Sequence, residues 1–409
     1  MGVLDTIAIL LTLAALFSYL NERFLHLPTT IGIMLISLLL SVALLLIGKL
    51  GWPALQVGAQ QFLQGVDFHQ ALMQGMLSFL LFAGALHINF NDLAKQKGVI
   101  IVLATFGILI STVIIGGLSY WLLNALGLNI SFLYCLLFGA LISPTDPIAV
   151  LAILKKVGVK KSLELKVAGE SLFNDGVGVV VFLVLLKLAS GDASATPTGI
   201  GLLFIQEAVG GILFGMLSGL AVSWLLRTVN QYQVEVLLTL ALVMGGYALA
   251  MAIHVSGPIA IVVAGLVIGN HGRVFSMSAE TRAHMDQFWE LLDEILNAVL
   301  FVLIGVEVLV LNLREEYLLA ALGIIPMVLL ARYISVLLPI SVLQKFRPFS
   351  PNVVEVLTWG GLRGGISVAL ALSLPGGAER DVILAVTYAV VISSILVQGL
   401  TIKQVVSGS

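Results

Sequence analysis

Apolar residues run through this chain in long blocks separated by short polar, glycine- or proline-bearing joints, and they do not alternate with polar residues at every second position. Blocks of about 20 apolar residues suit an α-helix crossing ~30 Å of hydrocarbon, and the pattern excludes the ten-residue alternating segments of a β-barrel. Reading hydropathy together with helix breakers predicts spans at 3–20, 29–47, 72–90, 99–123, 131–153, 163–189, 200–226, 233–253, 257–270, 288–311, 317–343, 354–374 and 381–401, thirteen in all. The ninth is short for a crossing. The stretch that follows it, residues 273–287, reads as an interfacial amphipathic segment.

Three spans depart from the apolar pattern. The fifth contains SPTDP, Ser143 to Pro147. Two prolines there remove backbone donors and clash with the preceding turns, so the helix is expected to unwind around Asp146. The twelfth contains WGGLRGGIS, where four glycines surround Arg363. These are the fifth positions of two six-helix halves if the seventh span is a linker, and an odd linker inverts one half relative to the other. Interrupted helices in matching places of inverted halves point to a secondary transporter with a midplane ion site. The third departure is GESLFNDG in the sixth span. Glu170, Ser171, Asn174 and Asp175 fall at i, i+1, i+4 and i+5, so they are expected to share one helix face, with Leu172, Phe173 and Val177 on the other.

An ionisable side chain within a span costs at least ~2.5–3.5 kcal/mol on insertion scales and is a functional-site hypothesis by default. Glu170 is read as the partner of Arg332 in the eleventh span, since each would otherwise be an unpaired charge in lipid. Asp146 and Arg363 are read as fixed charges that neutralise the exposed dipole ends of the half-helices. Asp175 is left without a cation. Partly dehydrated and near other carboxylates, it is expected to exchange protons near physiological pH, so that a monovalent cation and a proton compete for it. The Ser171 hydroxyl and backbone oxygen near Thr145 would assist the cation. Asn174, a neutral neighbour, would leave one titrating group and hence no net charge moved per cycle.

Composition narrows the class further. The 409 residues are 59% hydrophobic and only 10% charged, with mean hydropathy +1.11, which sets the chain outside the range of soluble domains. A net charge of −2 argues against nucleic acid or an acidic partner. A single cysteine, Cys135, allows no intrachain disulfide, and the six histidines show no metal-ligand spacing. The first span has no basic leader and is read as a retained helix. The last apolar run ends near Thr401, so no soluble domain is expected to follow it. With thirteen spans, thirteen Lys and Arg fall on one side of the membrane and four on the other, while Lys166, Arg332 and Arg363 lie within spans. The positive-inside rule then puts the N-terminus outside and the C-terminus in the cytoplasm.

The motifs SPTDPIAV at 143–150, GESLFNDG at 169–176, ARYISV at 331–336 and WGGLRGGIS at 359–367 resemble those of the cation:proton antiporters of the NhaP and sodium/hydrogen exchanger type. LPTTIGIML at 27–35 and FVLIGVEV at 301–308 add support, and the resemblance covers essentially the whole chain. It implies an all-α integral membrane protein with the NhaA-like antiporter fold. That fold has thirteen transmembrane helices in two inverted six-helix repeats, with crossed discontinuous helices five and twelve. Further implications are a homodimer in the bacterial inner membrane and an elevator-like slide of a core (about 72–189 and 288–401) against dimerisation helices (about 1–47 and 200–270).

The implied activity is electroneutral Na⁺/H⁺ antiport, a transport function and not an enzymatic one, in the service of pH homeostasis and with no cofactor beyond the transported ions. Residue by residue, the resemblance implies Asp175 as the ion-binding carboxylate with Asn174, Thr145 and Asp146 beside it, and with Ser171 from the helix-six reading the expected Na⁺ ligands are Asp175, Ser171 and Thr145. Glu170–Arg332 is the implied structural ion pair and Arg363 the charge in the helix break. The third span departs from relatives that carry an acid there, offering only His87 and Asn89; His87 is read as a packed or interfacial histidine. K⁺/H⁺ or Li⁺/H⁺ exchange by the same carboxylate is the nearest alternative. A sodium-coupled symporter of an organic solute would need a pocket that helix six does not supply, and a channel would need a repeated filter segment.

Overall fold

Residues 3–65, 68–190, 197–272, 279–311, 314–350 and 352–407 are described by a computed structural model, and their regular secondary structure is helical. Among these residues the one extended pairing is a single-residue bridge between Asp146 and Leu362. The helices in chain order are α1 Val3–Leu20, α2 Thr29–Lys49 and α3 Pro53–Gln64. Next come α4 Phe68–Leu86 and α5 Phe90–Ala125, then α6 Phe132–Ile142, α7 Ile148–Val157, α8 Lys161–Ala189, α9 Pro197–Leu226 and α10 Tyr232–Ala252. The second half holds α11 Gly257–Gly272, α12 Ala279–Glu307, α13 Glu315–Leu343, α14 Val353–Trp359 and α15 Gly365–Leu372, and α16 Ala378–Val406. Among the described residues nine helices are long and apolar enough to cross a membrane by length and composition, while α6 and α11 are shorter apolar helices.

Local sequence sets several boundaries. The Ser131 and Ser256 side chains cap α6 and α11 by accepting from the Tyr134 and Ile259 amides. Asn89 does the same for α5 through Asp92. α7 ends at Gly158, whose φ of 75° is the left-handed cap that glycine adopts without steric cost.

Two elements differ from the sequence reading. α3 was not anticipated, because PALQVGAQQFLQ mixes glutamines among its apolar positions and gives no membrane-length run; a proline at its first turn starts it. α12 begins at Ala279, so residues 279–287 are the first turns of one continuous helix and not a separate interfacial segment. No glycine or proline interrupts the chain between Ala279 and Ile304, and nothing else stops the helix there. The rest of the expected segment, 273–278, lies outside the described residues.

Packing is densest within two groups of helices, which meet where α8 lies against α9 and α11 and where α12 lies against α15. α5, α6 and α8 pack on one another, α13 packs on α5 and α16, and α15 packs on α16. The other group joins α12 to α2 and α1, and α11 to α4 and α9. Helices α5 and α6 approach closely at Gly139, where a β-carbon would collide with the Thr112 carbonyl. Gly139→Val is therefore expected to destabilise the protein by about 1–3 kcal/mol, read as a lower Tm of the detergent-purified protein; an unchanged Tm would show that this crossing has room to spare.

Candidate functional site

The two interrupted helices cross at their breaks. α6 stops at Ile142 and α7 starts at Ile148, while α14 stops at Trp359 and α15 starts at Gly365. Between them the Asp146 amide donates to the Leu362 carbonyl at 2.8 Å. Unwinding exposes backbone groups that would each cost free energy if left unpaired away from water, and side-chain charges meet them. The Arg363 Nη1 donates to the carbonyls of Ser143 at 2.5 Å and Pro144 at 3.0 Å, closing the end of α6. Arg332 on α13 does the same for α14, its Nε and Nη2 donating to the Leu357 carbonyl at 3.3 and 2.9 Å. Both guanidiniums lie at helix C-termini, where a cation is favoured.

Asp146 carries the opposite sign to the N-terminal ends. Its Oδ1 accepts from the Ile148 amide at 3.0 Å, at the start of α7. The same carboxylate lies against Gly364, just ahead of α15, where an added β-carbon would come within 2.6 Å of Oδ2. A β-carbon at Gly361 would come within 2.7 Å of the Arg332 Nε. The glycines around Arg363 thus leave space for charged groups to reach the backbone.

The acidic stretch of α8 sends its side chains to different places. Glu170 accepts from Arg332 in a bidentate pair, Oε1 from Nη1 at 2.5 Å and Oε2 from Nη2 at 3.0 Å, with both residues buried. Ser171 and Asn174 turn to the break: the Asn174 Nδ2 donates to the Thr145 Oγ1 at 2.8 Å, and its Oδ1 accepts from the Thr145 amide at 3.3 Å. The Ser171 and Thr145 hydroxyls are 2.9 Å apart. Asn174 is fully buried and acts as a clamp on the unwound segment.

Asp175 is set apart from these contacts. It lines a cavity of about 640 Å³ together with Thr145 and Asp146. Among the described residues no hydrogen-bond donor or cation engages its carboxylate, and the residue is half-buried. Leu172 lines the same cavity, which corrects the expectation that it covers the opposite face. Residues i and i+3 are only about 60° apart around a helix, so Leu172 stands beside Asp175, whereas Glu170 points away toward α13. At least four polar groups were missed in the sequence: Glu290, Asp293, Glu294 and Asn297 of α12 all line this cavity. Their spacing of i, i+3, i+4 and i+7 is a one-face helical signature that could have found them. His87, just past the end of α4, is also in the wall; its Nδ1 bonds the Ala83 carbonyl at 2.8 Å and its Nε2 lies 3.9 Å from Asp286. Lys166, the third cation within a span, places its ammonium 5.0 Å from the Phe349 ring centroid.

Comparison with known proteins adds to this geometry. The transmembrane sodium/hydrogen exchanger family matches residues 9–408. The chain belongs to that family. It is 51% identical to the Na⁺/H⁺ antiporter NhaP of Pseudomonas aeruginosa, covering 98% of this chain and 96% of that one. It is 36% identical to the antiporter NhaH of Halobacillus dabanensis, covering 99% and 96%. Among solved structures, the sodium proton antiporter MjNhaP1 of Methanocaldococcus jannaschii at pH 8 superposes with a TM-score of 0.76 at 21% identity, over 99% of this chain and 98% of that one. With apolar helices throughout and antiporters as relatives, this sodium/hydrogen exchanger family member is a multi-pass membrane protein.

The Glu170–Arg332 pair generates a test. Glu170→Gln strands a buried guanidinium and is expected to cost about 3–5 kcal/mol of stability. Replacing both partners with apolar residues, as Glu170→Leu with Arg332→Met, is expected to recover only part of that loss, because the Leu357 carbonyl at the end of α14 then loses its donor. Thermal melts of the three proteins check it, and a double variant no more stable than the single one would contradict the expectation.

Proposed function

We propose that this chain is an electroneutral Na⁺/H⁺ antiporter in which a sodium ion and a proton compete for the Asp175 carboxylate. The observation that carries the reading is the difference among the buried acids. Glu170 is held by a bidentate arginine and Asp146 by a helix N-terminus, while Asp175 alone among the acids of the α8 stretch and the breaks faces a cavity with no protein partner. A carboxylate already satisfied by fixed donors gains little from an ion, whereas an unpaired one in a low-dielectric setting must hold a cation or a proton. Thr145 and Ser171, tied to each other beside it, would complete the Na⁺ shell with hydroxyl and backbone oxygens. Relatives named as Na⁺/H⁺ antiporters support sodium as the cation.

The arrangement proposed in the membrane is thirteen passages, with α6–α7 and α14–α15 each counted once and α3 lying outside the count. The two six-helix halves are inverted about the seventh passage, α9. The external N-terminus and cytoplasmic C-terminus follow the lysine and arginine bias, and the setting is the bacterial inner membrane as a homodimer. Lys155 and Lys161 stand in the wall of the cavity, at the loop that this orientation assigns to the cytoplasm, so on this reading the cavity would open inward.

Alternating access of the elevator type would carry the crossed breaks past a fixed frame. The two packing groups support assigning α5–α8 and α13–α16 to the moving part. On this reading α4 and α12, which the sequence grouped with the transporting helices, stand with the frame. Because Asn174 is a neutral clamp, one carboxylate titrates in each cycle.

Asp175→Asn is expected to reduce ΔpH-driven Na⁺ uptake in proteoliposomes to background while the protein remains folded, and substantial surviving uptake would reject the assignment. Exchange by the unaltered protein is expected to be indifferent to a membrane potential clamped with valinomycin and K⁺. Stimulation by voltage would show that more than one proton moves per sodium ion.

A further inference from the structure

The cavity has a second wall whose chemistry the exchange at Asp175 does not use. α12 presents Glu290, Asp293, Glu294 and Asn297 to it, a row with one exposed and one buried end. Glu290 and Glu294 are exposed, Asp293 is half-buried and Asn297 is only 3% exposed. At the inner end the buried Asn297 carboxamide makes no hydrogen bond of standard geometry, and the protein group within its reach is the Asp293 carboxylate. A buried carboxamide without partners is costly, and one that lines a cavity can be satisfied by what the cavity admits. One turn earlier, about 6 Å along the axis, stands the Asp293 carboxylate, and Asp146 and Asp175 line the same cavity.

From this geometry we propose a second cation site on α12, formed by the Asp293 carboxylate and the Asn297 carboxamide oxygen, that receives an alkali cation before it passes to Asp175. The inference rests on the antiport reading above. Two oxygens of these types suit a hard cation. Of the lysines in the wall, Lys161 is drawn to Asp92 at 3.3 Å, and Lys155 stands in the last turn of α7, about 11 Å from its start at the break. Glu290 and Glu294 leave the approach negative and concentrate cations there. Because α12 packs on α2 and α1 while Asp175 belongs to the other packing group, the site would stay with the frame as the carrier moves. It would therefore serve sodium arriving from one face only.

That asymmetry is what the experiment reads. Full-length protein is reconstituted with known orientation, and Na⁺-driven proton flux is measured with Na⁺ presented from the cavity face or from the opposite face. Asn297→Ala and Asp293→Asn are each expected to raise the apparent KM for Na⁺ about tenfold, equivalent to ~1.4 kcal/mol, from the cavity face only, with a larger effect on KM than on kcat. A merely structural role would lower kcat from both faces alike, and that outcome overturns the site. Independently, equilibrium dialysis with ²²Na⁺ at alkaline pH is expected to find Asp175→Asn still binding one Na⁺ per chain, and binding abolished when Asn297→Ala is added. Absence of Na⁺ binding to Asp175→Asn overturns the proposal, whereas exchange surviving in Asp175→Asn would overturn the antiport reading itself.

Discussion

The structure depends on satisfying backbone groups freed where two helices unwind inside a low-dielectric bundle. Each break opens carbonyls at one half-helix end and amides at the next, and in hydrocarbon such groups have no water to turn to. Arg363 closes α6, Arg332 closes α14, and Asp146 stands at the starts of α7 and α15. Each of these charges would be expensive alone. Placed at the dipole end of opposite sign, each is compensated by the same backbone that needs it. The Asp146–Leu362 hydrogen bond then ties the two breaks together, so they form one crossed unit.

This unit fixes the setting of Asp175. Glu170 binds Arg332 and thereby anchors α8 to α13 and to the end of α14. Four residues on, Asn174 holds Thr145 through both its backbone amide and its hydroxyl. With α8 fastened at these two points, the rotation of the helix is set, and Asp175 faces the cavity. The neutral asparagine is thus a mechanical part as well as a missing charge. An acid at 174 could accept from the Thr145 amide but would lose the donor that meets its hydroxyl.

Much of this was legible in the sequence because proline, glycine and charge are rare in apolar spans and their coincidence is hard to explain otherwise. SPTDP and WGGLRGGIS marked the breaks, and the need to pair every buried charge nominated Glu170 with Arg332. What periodicity could not supply was the surroundings of α8. Four polar residues within a 140° arc look like one wet face, yet one meets an arginine, two meet a backbone segment and one meets a cavity, and Leu172 shares that cavity. The row on α12 was overlooked for a different reason. ELLDEILN reads as an ordinary charged helix start until neighbouring helices show that its polar face looks inward. The start of α12 and the existence of α3 were hidden because neither depends on hydropathy.

The distribution of acids between the two packing groups bears on how a cation can be both attracted and released. A single deep carboxylate that bound sodium strongly enough to draw it from solution would also be slow to let it go. Spreading the attraction along a row that is exposed at Glu290 and enclosed at Asn297 lowers the potential gradually, so Asp175 need not supply all of it. If the row stands on the frame and Asp175 on the moving part, the attraction is left behind when the carrier turns. On the proposed exchange at Asp175, release on the other side would then be opposed only by Asp175, Thr145 and Ser171, and a proton arriving at that one carboxylate would displace the ion.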